Sequence, residues 1–331
     1  MSRPQRSAGA VRPRHLPALL LAVSAALLAG ACSDGSGDGS TSASGTTEVK
    51  VGVIPIVDVA PIYLGLKQGF FAAEGLEVTL ETAQGGAAIV PGVVSGQYQF
   101  GFSNTTSLLL AESKGLPLKA VSSGVASTGT PGKDFGAVIV KADSPIRTAA
   151  DLAGKRVAVN TLKNINTTTI NKVVRDAGAD PSTIKYVELA FPDIVPAIAK
   201  GDVDAGQVVE PFLTIATGQG DRQVVSNYAG TDPDLTVAMY FTSQSYAAQN
   251  PKAVSGFTAA MAKSMAYATA HPDEARAALT TYTKIDPKVQ QDLILPRWPA
   301  TVDRDSVQLL ADLAKQDGLI TEQPDLDKLL P

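Results

Sequence analysis

Ten polar residues of this chain are of the types, and in the places, that hold small molecules: Asp58, Tyr63, Gln84, the run Ser103-Asn104-Thr105, the run Asn166-Thr167-Thr168, and Glu210. Most stand where a β-branched run gives way to a helical pattern, at the carboxyl ends of strands and the starts of helices. In open α/β sheets that edge is where ligands bind. Helix starts carry unpaired backbone N–H groups and partial positive charge, so hydroxyl and amide clusters there suit an anionic or acceptor-rich head group. Ser, Thr and Asn also cap helices for purely structural reasons. Convergence of several on one edge is what favours a ligand site.

Bond-breaking chemistry has little to work with. Of the two histidines, His15 lies in an N-terminal leader, and His271 sits in HPDEA, a break between helices. A His-based triad needs a nucleophile elbow, and GFSNT lacks its second glycine. One cysteine and two histidines exclude a His/Cys zinc site. No G-x-x-x-x-G-K-[ST] phosphate loop is present. No enzyme, metal or cofactor is expected, and the enzymatic alternative is a secreted hydrolase using Asp58 and Glu210 as a carboxylate pair.

The single cysteine, Cys32, follows a leader whose first 31 residues carry Arg3, Arg6, Arg12 and Arg14, no acid, and an apolar run from Leu16 to Leu28. That is a secretory signal layout, and the run is short of the roughly 20 residues that span a bilayer. Leu28-Ala29-Gly30-Ala31-Cys32 resembles a bacterial lipobox, with Ala29 where a large aliphatic residue is usual, which makes Cys32 the lipidation site. Residues 32–47 are almost wholly Ser, Gly, Thr, Asp and Ala, a flexible tether, and folding should begin near Glu48. Loss of the leader takes four Arg and no acid from 28 basic and 32 acidic residues, leaving a net charge of −8. That balance disfavours nucleic acid as a partner.

The elements that must position the polar residues alternate from Val49 onward as short strands and amphipathic helices, the pattern of βαβ units. A helix is expected over about residues 61–74, stopped by Gly75. The sequence from Pro251 to Gln316 reads mainly as helix. About 280 globular residues exceed a single core, so two lobes are expected. A short internal echo supports this. VSGQYQFGFSNTTSLLLA aligns without gaps on AKGDVDAGQVVEPFLTIA, with Gly96 on Gly201, Gly101 on Gly206, and Ser103-Asn104-Thr105 on Val208-Val209-Glu210.

PIYLGLKQGFFAAEGLEVTL, Gly85-Gly86, SGQYQFGFSNTTSLLLA, DLAGKRVAVN and GDVDAGQVVEPF together resemble solute-binding proteins of ABC importers, in the NMT1/THI5-like or SsuA/TauA family. That family includes binders of sulfonates, taurine, nitrate and thiamine pyrimidine precursors. The resemblance runs from about Lys50 to Pro251. It implies a type II periplasmic-binding fold: two α/β lobes, each with a mixed five-stranded sheet, joined by crossing strands near 135–140 and 236–241. Lobe one is then 48–135 with 236–331, and lobe two 136–235.

The resemblance also implies a small-molecule solute held between the lobes of a monomer. The partners it implies are permease and ATPase subunits, with the protein exported and moored by lipid to the outer face of the cell membrane. It places Glu210, the acid of an EPF element, at the cleft. Asp58 and Glu210 have no matching Arg, and Lys163 is the nearest base in these segments, with Lys133 and Asp134 beside a crossing. A nitrogen-containing solute, such as an aminopyrimidine or a taurine-like zwitterion, suits those acids, whereas a sulfonate must rely on amides and hydroxyls. Phe191 and Tyr240 offer rings for stacking. A sensor lipoprotein on the same scaffold is a further alternative.

Overall fold

A computed structural model describes residues 45–331. The leader and Cys32 lie outside those residues. Among the described residues no helix is long and apolar enough to cross a membrane.

Strands β1 (Thr47–Val53), β2 (Leu76–Thr82), β3 (Phe100–Asn104) and β4 (Leu118–Ala126) open the first lobe. Strands β5 (Gly136–Val140), β6 (Arg156–Val159), β7 (Lys185–Glu188), β8 (Ala205–Val209) and β9 (Arg222–Val225) form the second, and β10 (Thr236–Ser243) returns to the first. The sheet orders are β2-β1-β3-β10-β4 and β7-β6-β8-β5-β9. Each sheet is mixed: β10 runs antiparallel to β3 and β4, as β5 does to β8 and β9. The protein is therefore two α/β lobes of the same topology.

The sequence echo falls on equivalent strands. β3 and β8 are both third in their sheets, and each is preceded by a turn glycine in the left-handed region, Gly96 at φ 80° and Gly201 at φ 78°. Gly101 pairs with Gly52 of β1, and Gly206 with Ala158 of β6. A Cβ on Gly101 would lie 2.6 Å from Ile89, and one on Gly206 would lie 2.3 Å from Ile194. In both lobes the bare backbone lets a helix isoleucine pack onto the central strand.

The helix expected over 61–74 is two pieces, Ala60–Lys67 and Phe70–Ala73. Gly69, at φ 73°, breaks it by adopting the left-handed backbone conformation that glycine accepts without a steric cost. Helices Pro251–Ala270 and Pro272–Tyr282 cover the first lobe, where Phe257 stacks on Phe100 with centroids 4.0 Å apart.

The chain passes between lobes through residues 127–135 and 226–235, just ahead of β5 and β10, which are themselves strands of the sheets. Asp134 stitches the two passages together. Its carboxylate accepts from Ser127 Oγ at 2.7 Å, Thr128 N and Phe135 N in its own passage, and from Ala229 N at 2.9 Å in the other.

Candidate functional site

The lobes face each other across their strand ends. The start of the helix Thr105–Ser113 in the first lobe meets the start of the helix Ile165–Asp176 in the second. Asn104 Oδ1 accepts from Ser107 N at 2.9 Å, capping its own helix, and from Ile165 N at 3.3 Å, capping the opposite one. Around this contact lies an inner chamber of about 30 Å³. Asp58 and Asn104 line it from the first lobe, and Asn160, Asn164, Asn166 and Tyr228 from the second.

The chamber's amides form a closed network. Asn164 Oδ1 accepts from Asn166 N and Thr167 N, and its Nδ2 donates to Asn160 Oδ1 and Thr161 Oγ1. Asn166 Nδ2 also donates to Asn160 Oδ1, while the Tyr228 hydroxyl donates to Asn166 Oδ1 at 2.5 Å. Asp58 is different: it is 3% exposed, and its Oδ1 has no hydrogen-bond partner. Burial pushes its carboxyl up to about 7, and the charge of Asp134 adds to the rise.

An outer chamber of about 330 Å³ shares Ile54, Ile56 and Phe191 with the inner one and continues past Pro192 and Phe212. Phe191 and Phe212 lie nearly parallel, with centroids 5.9 Å apart. Gln84 closes one side, donating to the Asn160 carbonyl of the opposite lobe at 3.3 Å. Among the described residues, neither chamber is lined by a Lys, Arg or His.

The predicted site residues thus separate. Asp58, Asn104 and Asn166 line the inner chamber, and Gln84 the outer. Ser103, Thr105, Thr167 and Thr168 stand behind that surface with their hydroxyls bonded to backbone carbonyls, of Asn104, Thr236 and, for both Thr167 and Thr168, Asn164. Tyr63 stacks on Tyr282, with centroids 3.9 Å apart.

Glu210 is fully buried and spends its carboxylate on Thr214 N, Thr214 Oγ1 and Ile294 N. Burial outweighs those bonds and lifts its carboxyl to about 7. Its backbone carbonyl meanwhile accepts from Val57 N, so this residue ties the second lobe to two segments of the first. Lys163 stands exposed in a left-handed conformation at φ 54°.

Two lobes of like topology, closed on a polar chamber at their strand ends, define the periplasmic-binding-protein architecture. The profile of the family described as NMT1/THI5 like matches residues 56–275, and the chain belongs to that family. A protein of Escherichia coli K12, provisionally named an aliphatic sulfonates-binding protein, is 25% identical over 57% of this chain. The match spans only 60% of that relative's length. The formylaminopyrimidine-binding protein of Halalkalibacterium halodurans is 24% identical over 71% of this chain and 70% of its own. Among solved structures, the alkanesulfonate-binding protein SsuA from Xanthomonas axonopodis pv. citri, bound to MOPS, superposes with a TM-score of 0.74. It is 18% identical, over 86% of this chain and 98% of that one, and shows the shared fold.

Proposed function

We propose that this protein is the extracytoplasmic solute receptor of an ABC importer, without enzymatic activity. It captures a small organic solute, nitrogen-containing and pyrimidine-like or sulfonate- and taurine-like, between its lobes and presents it to a permease. The observation that carries this reading is the paired chamber between lobes that contact each other through Asn104 and Ile165. A cleft that buries its ligand on closure couples binding to a shape a permease recognises. Lipidation at Cys32 would moor the receptor, leaving the following Ser/Gly tract as slack. The carboxylate-pair hydrolase gains no support, since Glu210 is bonded to Thr214 and Ile294 rather than paired across the chamber with Asp58.

Thermal-shift screening against amines, aminopyrimidines, sulfonates and aromatic acids tests the reading. A ligand at 100 times its dissociation constant should stabilise by about 2.7 kcal/mol, and incubation should return it unchanged. Absence of stabilisation by every class, or consumption of the ligand, refutes the receptor. Mass spectrometry of the mature N-terminus tests the anchor, and an unmodified Cys32 removes it.

A further inference from the structure

Most hydrogen-bond donors of the inner chamber are already engaged within the protein. The amides of Ile165, Asn166 and Thr167, which an uncapped helix start would offer an anion, are taken by Asn104 and Asn164. The side-chain amides of Asn164 and Asn166 donate to Asn160 and Thr161, and the Tyr228 hydroxyl donates to Asn166. In the chamber wall stands an acid, Asp58, whose Oδ1 has no hydrogen-bond partner.

Behind it lies a second acid, Asp134, and the other titratable groups acting with Asp58 are hydroxyls, those of Tyr228, Tyr240 and Tyr282. A carboxylate withdrawn from water needs a cation or a strong donor as partner. Neither chamber's lining supplies a cationic side chain.

Resting on the receptor reading above, we infer that the solute is an organic cation or N–H-rich base, a protonated amine, amidine or aminopyrimidine, whose head donates to the Asp58 carboxylate. The inner chamber's 30 Å³ takes one or two heavy atoms, the size of an ammonium or amino group. The outer chamber, with Ile56 and the Phe191–Phe212 pair in its wall, takes a flat or aliphatic body. An anion placed at the same point would meet a like charge whenever Asp58 is ionised. Asp58 is therefore the residue that sets the charge class of the ligand.

The only tryptophan of the chain, Trp298, donates from Nε1 to the Asp58 carbonyl at 3.1 Å, so its fluorescence reports on the chamber. Titration with benzylamine, benzamidine and 4-amino-2-methylpyrimidine, against benzoate and benzenesulfonate of matching size, should give binding of the first group alone. The isosteric Asp58→Asn should weaken that binding at least about 30-fold with secondary structure unchanged by circular dichroism. Binding of the sulfonate or carboxylate as tightly as the amines, or unaltered amine binding by Asp58→Asn, overturns the charge assignment and leaves the receptor standing. Binding of no probe, together with none in the wider thermal screen, overturns both. Should Asp58→Asn fail to fold, the wild-type comparison of matched cation and anion decides alone.

Discussion

Asn104 and Ile165, on opposite lobes, are joined by a hydrogen bond of 3.3 Å from the Ile165 amide to Asn104 Oδ1, the oxygen that also takes the Ser107 amide at 2.9 Å. One side-chain atom thus finishes a helix in each lobe, and closure of the cleft completes the second cap. Asn104→Ala is expected to lower stability by about 1–2 kcal/mol. It should also open the lobes, read as a larger radius of gyration by X-ray scattering. Unchanged stability and unchanged dimensions would show that the shared oxygen holds neither helix.

Asp317 makes another link between lobes. It follows the helix Arg304–Gln316 and accepts from Arg175 Nη2 at 2.6 Å and from Asn171 Nδ2 at 2.9 Å. Its side chain is 6% exposed, so the pair is worth more than a surface bridge. Asp317→Ala should raise the dissociation constant of a bound solute about tenfold, as the closed form becomes harder to populate. The check is titration calorimetry beside wild type, and equal affinities would remove the pair from closure.

Two glycines of the second lobe make a test of packing. Gly206→Ala puts a methyl 2.3 Å from Ile194 Cγ2 and should cost about 1–3 kcal/mol in a urea melt. Gly218→Ala, at the end of the helix Phe212–Gly218, meets nothing within 4 Å and should be neutral or slightly stabilising. The reverse ranking would place the close approach elsewhere.

Asp58 and Glu210 dictate a pH dependence. Both carboxyls are held at about 7 in the folded protein, against 3.8 and 4.5 ordinarily. The native state therefore keeps protons that the unfolded chain has released. Their stabilisation is fully present below about pH 4 and is lost as pH rises to about 7, with a slope of up to about 1.4 kcal/mol per pH unit for each group. Asp134 and the hydroxyls of Tyr228, Tyr240 and Tyr282 surround Asp58 without supplying a positive charge. The melting temperature without ligand should fall between pH 5 and pH 8, and Asp58→Asn should flatten about half the slope. A wild-type profile that rises over this range contradicts the assignment.

Much of the scaffold was legible because strands buried on both faces read as β-branched runs. GAVIV of β5 and the β-branched start of TVAMYFTS in β10 stand out this way. Arg222–Val225 did not: four half-buried residues at a sheet edge leave no periodic signature, and β9 went unseen. At the site, strand-end logic reached Asp58, Asn104 and Asn166 but passed over Asn160, which directly follows β6, and Asn164, which reads as an ordinary cap. Tyr228 has no local signal whatever. It arrives from the second passage between lobes, and only the tertiary fold brings its hydroxyl to Asn166. Glu210 was placed toward the ligand by likeness to an EPF element, whereas its carboxylate is bonded to Thr214 and Ile294, which lies 84 residues away in sequence.

The position of β10 between β3 and β4 has a consequence for how the molecule is made. As the chain emerges from its N-terminus, the second lobe holds all five of its strands once residue 225 is out. The first lobe, begun earlier, still lacks an inner strand, with unpaired edges on β3 and β4, until residues 236–243 arrive. The half of the protein synthesised first is thus the half completed last, and a ribosome-bound chain halted with residue 225 emerged but residue 236 not yet emerged should carry one protease-resistant lobe, the later-born one.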